Sequence, residues 1–188
     1  MPRRNLHVVG FDDAPFDPAH RGDVVVVGAV FSGTRLDGVV SGKVRRDGAN
    51  ATRVLAEIAR RSRYFPQLHA VLLQGIAVAG FNVVDLPDLH RRLGLPVIAA
   101  CRHRPDLEAV RRALLGRVPG GAGKWRRVQR AGPLHQAGAL HFQCAGVTPA
   151  AAQSILARLC IRGDLPEPLR AAHLIAGGIT RGESTGRP

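Results

Sequence analysis

Apolar residues come in short runs separated by glycine, proline and acid-bearing turns, and the period of those runs changes part-way along the chain. Residues 5 to 10 form a short apolar run that ends at Asp12, and a β-branched run follows from Asp23 to Phe31. After a turn at Ser32-Gly33-Thr34, a third strand is predicted from about Leu36 to Arg45, where Val39, Val40 and Val44 supply β propensity. The three lie close enough in sequence for an antiparallel meander. Asn50 or Thr52 can cap a helix that places Val54, Leu55 and Ile58 on one face and ends near Tyr64-Phe65-Pro66.

Beyond that point strand and helix patterns alternate. His69 to Leu73 and Pro96 to Ala100 read as strands, with a helix from Asn82 to Leu93 between them, stopped by Gly94. A helix from Pro105 to Leu115 would turn Leu107, Val110, Ala113 and Leu114 inward. Residues 116–123 are glycine-rich and read as a flexible linker. Leu140 to Cys144 fits an added edge strand, Pro149 to Arg162 a helix, and a last helix from about Pro166 runs into a polar tail at 181–188. Three antiparallel strands, a helix and two β-α units are the order of a ribonuclease H-like mixed α/β sheet covered by helices. Other mixed sheets give the same string.

At 188 residues the chain fits a single domain with a core that needs no disulfides. Its 27 basic and 14 acidic residues give a net charge of +13, and Lys43 and Lys124 are the sole lysines. Guanidinium forks suit phosphate, so a nucleic-acid partner is expected, although a compositional preference for arginine would give the same count. Cys101, Cys144 and Cys160 are an odd number without framework spacing, and Met1 to Leu6 has no secretory pattern. No apolar run reaches the roughly 20 residues of a membrane helix. A cytoplasmic location is expected.

The candidate chemistry lies at strand ends. Asp12 follows the first strand, Arg46-Asp47-Gly48 the third and Gln74-Gly75 the fourth. A single Asp after a strand is an ordinary turn residue. Three polar side chains on strands expected to be adjacent make a site for a divalent cation, with Gln74 where a full carboxylate set would have Asp. Asp13, Asp17 and Asp85 stand nearby in sequence. Arg170 can touch phosphate, and His173 behind it can position or protonate a reacting group. Other patterns carry less. Gly120 to Lys124 lacks phosphate-loop spacing, with Val118 and Trp125 at two required positions. Cys101, His103, His141 and Cys144 could bind zinc, but they form no Cys-x-x-Cys knuckle, and buried cysteines are commonly plain core residues.

Gly10-Phe11-Asp12-Asp13, Asp47-Gly48, the run from Gly75 to Asp85, Leu165-Pro166-Glu167-Pro168-Leu169-Arg170 and Gly182-Glu183-Ser184 resemble one archaeal family. It was long called domain of unknown function ninety-nine and was later linked to a deoxyuridine-specific DNA endonuclease, endonuclease dU. That family is in turn similar to endonuclease V, a magnesium-dependent enzyme that nicks DNA near deaminated bases. The resemblance implies that Asp12 and Asp47 hold Mg2+, or Mn2+ in its place, with Gln74 as a weak third ligand and His173 in the catalytic set. It also implies that Arg46, Arg102 and Arg170 contact nucleic acid, with Arg102 where endonuclease V has a lysine. Leu36-Asp37-Gly38-Val39 replaces the Tyr-Ile-Pro wedge of endonuclease V, so base recognition does not carry over. The expected function is a metal-dependent endonuclease in DNA repair that acts on DNA containing deaminated bases such as deoxyuridine. Alternatives are a weak or inactive nucleic-acid binder of the same fold, with RNA as another partner, and an enzyme on a small phosphorylated molecule.

Overall fold

The computed structural model describes residues 5–161 and 163–184. One mixed sheet organises them, built from β1 (His7–Asp13), β2 (Asp23–Ser32), β3 (Arg35–Arg45), β4 (Ala70–Gln74), β7 (Val97–Cys101), β8 (His135–Ala137) and β9 (Leu140–Ala145). A separate two-stranded ribbon pairs β5 (Ala77–Val78) with β6 (Asn82–Val83). The helices are α1 (Ala51–Arg61), α2 (Leu86–Leu93), α3 (Leu107–Arg117), α4 (Gly121–Arg130), α5 (Pro149–Leu159) and α6 (Glu167–Arg181).

The sheet runs β3-β2-β1-β4-β7-β9-β8. The expected meander is present, with β1 antiparallel to β2 and β2 to β3. β4 lies parallel to β1 with Phe11 opposite Leu73, and parallel to β7 with Gln74 opposite Ala100. β2 therefore separates β1 from β3. Strands one, three and four are not mutual neighbours, which corrects the adjacency expected for the three site residues.

The central strands read as unbroken apolar runs because both faces are covered. On one face Val9, Phe11, Val71, Leu73 and Val97 pack with Leu55 of α1 and Leu86 and Leu89 of α2. On the other, Val8, Leu72, Ile98 and Phe142 pack with Leu156 of α5 and Leu169 of α6. Helix α6 lies flush on β1. A Cβ at Gly10 would stand 2.6 Å from the Pro168 carbonyl carbon, so a glycine there lets the helix approach.

Several elements differ from the pattern-based expectation. Asn82 and Val83 are strand, and α2 starts only after Asp85, whose carboxylate accepts from the Asp88 amide. Asn82 is fully buried; its amide accepts from the Ala51 N–H and donates to the Arg45 carbonyl and to Asn50 Oδ1. Helix α1 is thus capped from a distant segment rather than by Asn50 itself. Leu107 is 39% exposed, and Leu114 is the one fully buried residue of α3, so its inward face is narrower than the spacing suggested. The segment 116–123 comprises the end of α3, a short turn and the first turn of α4. A Cβ at Gly121 would lie 1.7 Å from the Leu114 carbonyl oxygen, so this glycine is where α4 folds back onto α3. Helix α5 ends at Leu159, short of Arg162, which lies outside the described residues with 185–188 of the expected tail.

Candidate active site

Asp12, the next-to-last residue of β1, lies on the face that α6 covers, and that is why a carboxylate can be 6% exposed there. His173, two turns into α6, stands above it with Nδ1 2.8 Å from Asp12 Oδ2. With the carboxylate ionised, Nδ1–H donates, which fixes the ring and leaves Nε2 to face other groups. The Asp13 amide donates to Asp12 Oδ1 at 2.9 Å. Burial first, and then the charge of Asp13, pushes the Asp12 carboxyl from its ordinary 3.8 up to about 6, against the opposing pull of His173. Burial also raises Asp13, opposed by its bond from the Ala79 amide at 3.0 Å. A buried carboxylate beside a half-buried one concentrates negative charge at this strand end.

Gln74 ends β4, the strand beside β1. Residues Val8 and Leu72 share the α6 face, so Asp12 and Gln74, at even spacing beyond them, share it too. Gln74 Oε1 is buried and has no hydrogen-bond partner in the structure. An orphaned buried carbonyl oxygen costs about 1–3 kcal/mol, which is a reason to look for a cation or water as its partner.

Asp47 is placed differently. It lies in the turn after the edge strand β3, at φ 49°, in the left-handed region that an Asp tolerates better than most residues. Its Oδ1 accepts from the Phe81 amide at 2.8 Å, its own amide donates to the Ala79 carbonyl at 2.9 Å, and Arg46 Nε stands 3.2 Å from Oδ2. Ala79 thereby touches both Asp13 and Asp47 and ties the β5–β6 turn to the two acids. Gly80 leaves room for this, since a Cβ there would sit 2.4 Å from Asp47 Oδ1. Lys124 of α4, 3% exposed, donates from Nζ to the Asp47 carbonyl. Burial lowers the Lys124 ammonium, and the Asp47 charge opposes that.

The structure joins Asp12 to His173 and sets Gln74 beside them, while Asp47 is held by the 79–81 turn and α4. Among the described residues no group of three or more His, Cys, Asp or Glu is arranged to hold a metal ion. Arg46 is turned into the fold: its Nη1 donates to the Pro18 and His20 carbonyls, and its guanidinium lies over Phe16. Arg170 forms a double bond pattern with Glu167, Nη2 to Oε2 at 2.6 Å, and its side chain stays 38% exposed. Arg102 follows β7, half-buried. Cys101 and His141 face each other across β7 and β9, and the thiols of Cys101 and Cys144 donate to backbone carbonyls. Sequence reasoning passed over Lys124, and its signal was being one of two lysines in an arginine-rich chain.

A family model described as endonuclease dU matches residues 4–180. The chain belongs to the endonuclease dU family. A UPF0215 protein of Deinococcus radiodurans is 54% identical over 98% of this chain and 94% of its own length. One from Methanothermobacter thermautotrophicus is 44% identical over 98% and 92%. The Deinococcus relative makes the archaeal membership expected from the resemblance too narrow. A crystal structure of a protein of unknown function from Archaeoglobus fulgidus superposes with a TM-score of 0.87 at 33% identity, covering 93% of this chain and 98% of that one. Endonuclease V from Bacillus subtilis superposes with a TM-score of 0.61 at 13% identity, covering 94% and 81%. That from Ciona intestinalis, in complex with a DNA 24mer containing an inosine followed by a ribo-adenosine, gives 0.58 at 13% identity, covering 90% and 83%. This family member therefore has the endonuclease V-like, ribonuclease H-like fold. No helix among the described residues is long and apolar enough to cross a membrane.

Proposed function

We propose that this protein is a metal-dependent endonuclease of DNA containing deaminated bases such as deoxyuridine. The observation that carries the reading is the pairing of buried Asp12 with half-buried His173 beside Gln74, in a chain of the endonuclease dU family. The donor set suits a hard divalent cation such as Mg2+: a carboxylate crowded by a second one, and an unpartnered amide oxygen. Asp12 and Gln74 would hold it, with Asp47 reaching in from the turn after β3. A bound cation supplies Lewis-acid charge at the scissile phosphate. His173, oriented through Nδ1, offers Nε2 for holding or moving a proton at the reacting oxygens. Arg170, exposed over part of its side chain, and Arg102 are the proposed contacts to the phosphodiester; Arg46 acts by holding the Phe16–His20 segment and Asp47.

The amide at position 74 favours one second reading, a nucleic-acid binder of weak or no activity, because an amide lacks the charge that holds a cation tightly. The deciding experiment uses labelled duplexes with uracil, hypoxanthine or ordinary bases, with and without Mg2+. Nicking of the deaminated duplexes only, in Mg2+ only, and absent in Asp12→Asn, is the expected result. Binding without nicking of any duplex would replace the proposal by the second reading.

A further inference from the structure

The arginines are spread along the sequence, but the net charge is not. Residues 102–130 carry nine basic and two acidic side chains, so this stretch supplies +7 of the net +13. It forms the α3–α4 hairpin, which leaves the sheet at the same end as Asp12 and Gln74, because β7 pairs Ala100 with Gln74 immediately before the hairpin begins.

The hairpin's two sides treat their cations oppositely. Facing inward, Lys124 bonds the Asp47 carbonyl, Arg127 bonds the Val83 carbonyl at 3.1 Å, and Arg130 pairs with Asp85 at 2.9 Å. Leu114 and Val128 pack on Val83 with Phe81 and Trp125 beside them, which anchors the hairpin on the β5–β6 ribbon that touches the site's acids. Facing outward, Arg104, Arg112, Arg117 and Arg126 are exposed, and among the described residues none has an ion pair or a hydrogen bond. Exposed guanidinium groups gathered on one hairpin raise the local positive potential, which solvent and salt screen in part and a polyanion neutralises. Planar guanidinium groups suit phosphate oxygens.

We infer that the outer face of the α3–α4 hairpin is a docking surface for the phosphodiester backbone of duplex DNA flanking the cleavage position. This rests on the proposed function for its partner, and it assigns the outward arginines to register and affinity rather than to chemistry. They are not catalytic residues.

The test measures binding of a uracil-containing duplex in EDTA, where cleavage plays no part, across a range of salt concentrations. One variant combines Arg112→Gln, Arg117→Gln and Arg126→Gln. A second removes the same charge far from the hairpin, by Arg35→Gln, Arg61→Gln and Arg158→Gln. Each phosphate contact contributes about 0.9 to the slope of log K against log salt, so the hairpin variant should lose roughly 2 to 3 from that slope and bind at least ~10-fold more weakly at low salt. The remote variant should keep the slope within about 0.5. Equal losses in both variants, or a wild-type slope in the hairpin variant, overturn the docking surface and leave the proposed function standing. A wild type that fails to bind duplex DNA even at low salt removes both. A hairpin-dependent slope in a protein that never nicks DNA retains the surface and removes the endonuclease.

Discussion

Replacing Asp12 by Asn removes the carboxylate that the fold buries most completely near the candidate site. In the folded chain that carboxyl is raised from 3.8 to about 6, so the folded state binds the proton more tightly than the unfolded chain does. At 1.36 kcal/mol per pH unit, keeping Asp12 ionised above pH 6 costs about 3 kcal/mol. The sign follows from the raised value: wild-type stability, relative to a non-titrating residue, increases as pH falls through 6 and levels off below 3.8. In EDTA at pH 8, Asp12→Asn is thus expected to be more stable than wild type by up to about 3 kcal/mol, because the buried charge is gone while the amide oxygen keeps the Asp13 N–H and the amide NH2 donates to His173 Nδ1 in its other tautomer. At pH 4 the two should converge. Urea unfolding at both pH values measures the gap. Mg2+ should then narrow the gap at pH 8 by stabilising the wild type alone, about 2.7 kcal/mol at a hundredfold excess over its Kd. A variant less stable than wild type at pH 8 in EDTA, or a gap unchanged between pH 4 and 8, would refute the reasoning: burial would not then be the dominant force on Asp12.

Gln74→Asp supplies the missing charge beside Asp12 and should shift the Mg2+ dependence of cleavage to lower concentration; an unchanged dependence would show that position 74 is not a ligand. Gly80→Ala places a Cβ 2.4 Å from Asp47 Oδ1 at a φ of 81°, and should cost about 1–3 kcal/mol in urea unfolding and slow cleavage more than it weakens DNA binding. Lys124→Met leaves the Asp47 carbonyl without its buried donor, and a loss of about 1–3 kcal/mol is expected by the same measurement; full retention of both stability and activity would show that α4 does not hold Asp47.

Patterns of local origin were legible in the sequence. Apolar and β-branched runs between turns located β1, β2, β4 and β7, because strands buried on both faces must be apolar throughout, and β propensity alone located the exposed edge strand β3. Asp12 was readable as a candidate only together with the polar residues at the other strand ends, and His173 through the Leu165–Arg170 segment that precedes it. What sequence could not supply was distance across the fold. The neighbour relations of β1, β3 and β4 depend on β2 pairing between two of them, so Asp47's anchoring to the 79–81 turn appears only in three dimensions. Asn82 belongs to a helical pattern by local propensity, yet its buried amide joins β3 to α1, and tertiary hydrogen bonds overrode the propensity. Gly120 to Gly123 resembles a linker by composition, whereas the close approach of α4 to Leu114 is what requires glycine there. The net charge was countable from the chain, but only packing sorted its cations into those that clamp the site's acids from inside and those left facing solvent, because burial tolerates a charge only where a partner meets it.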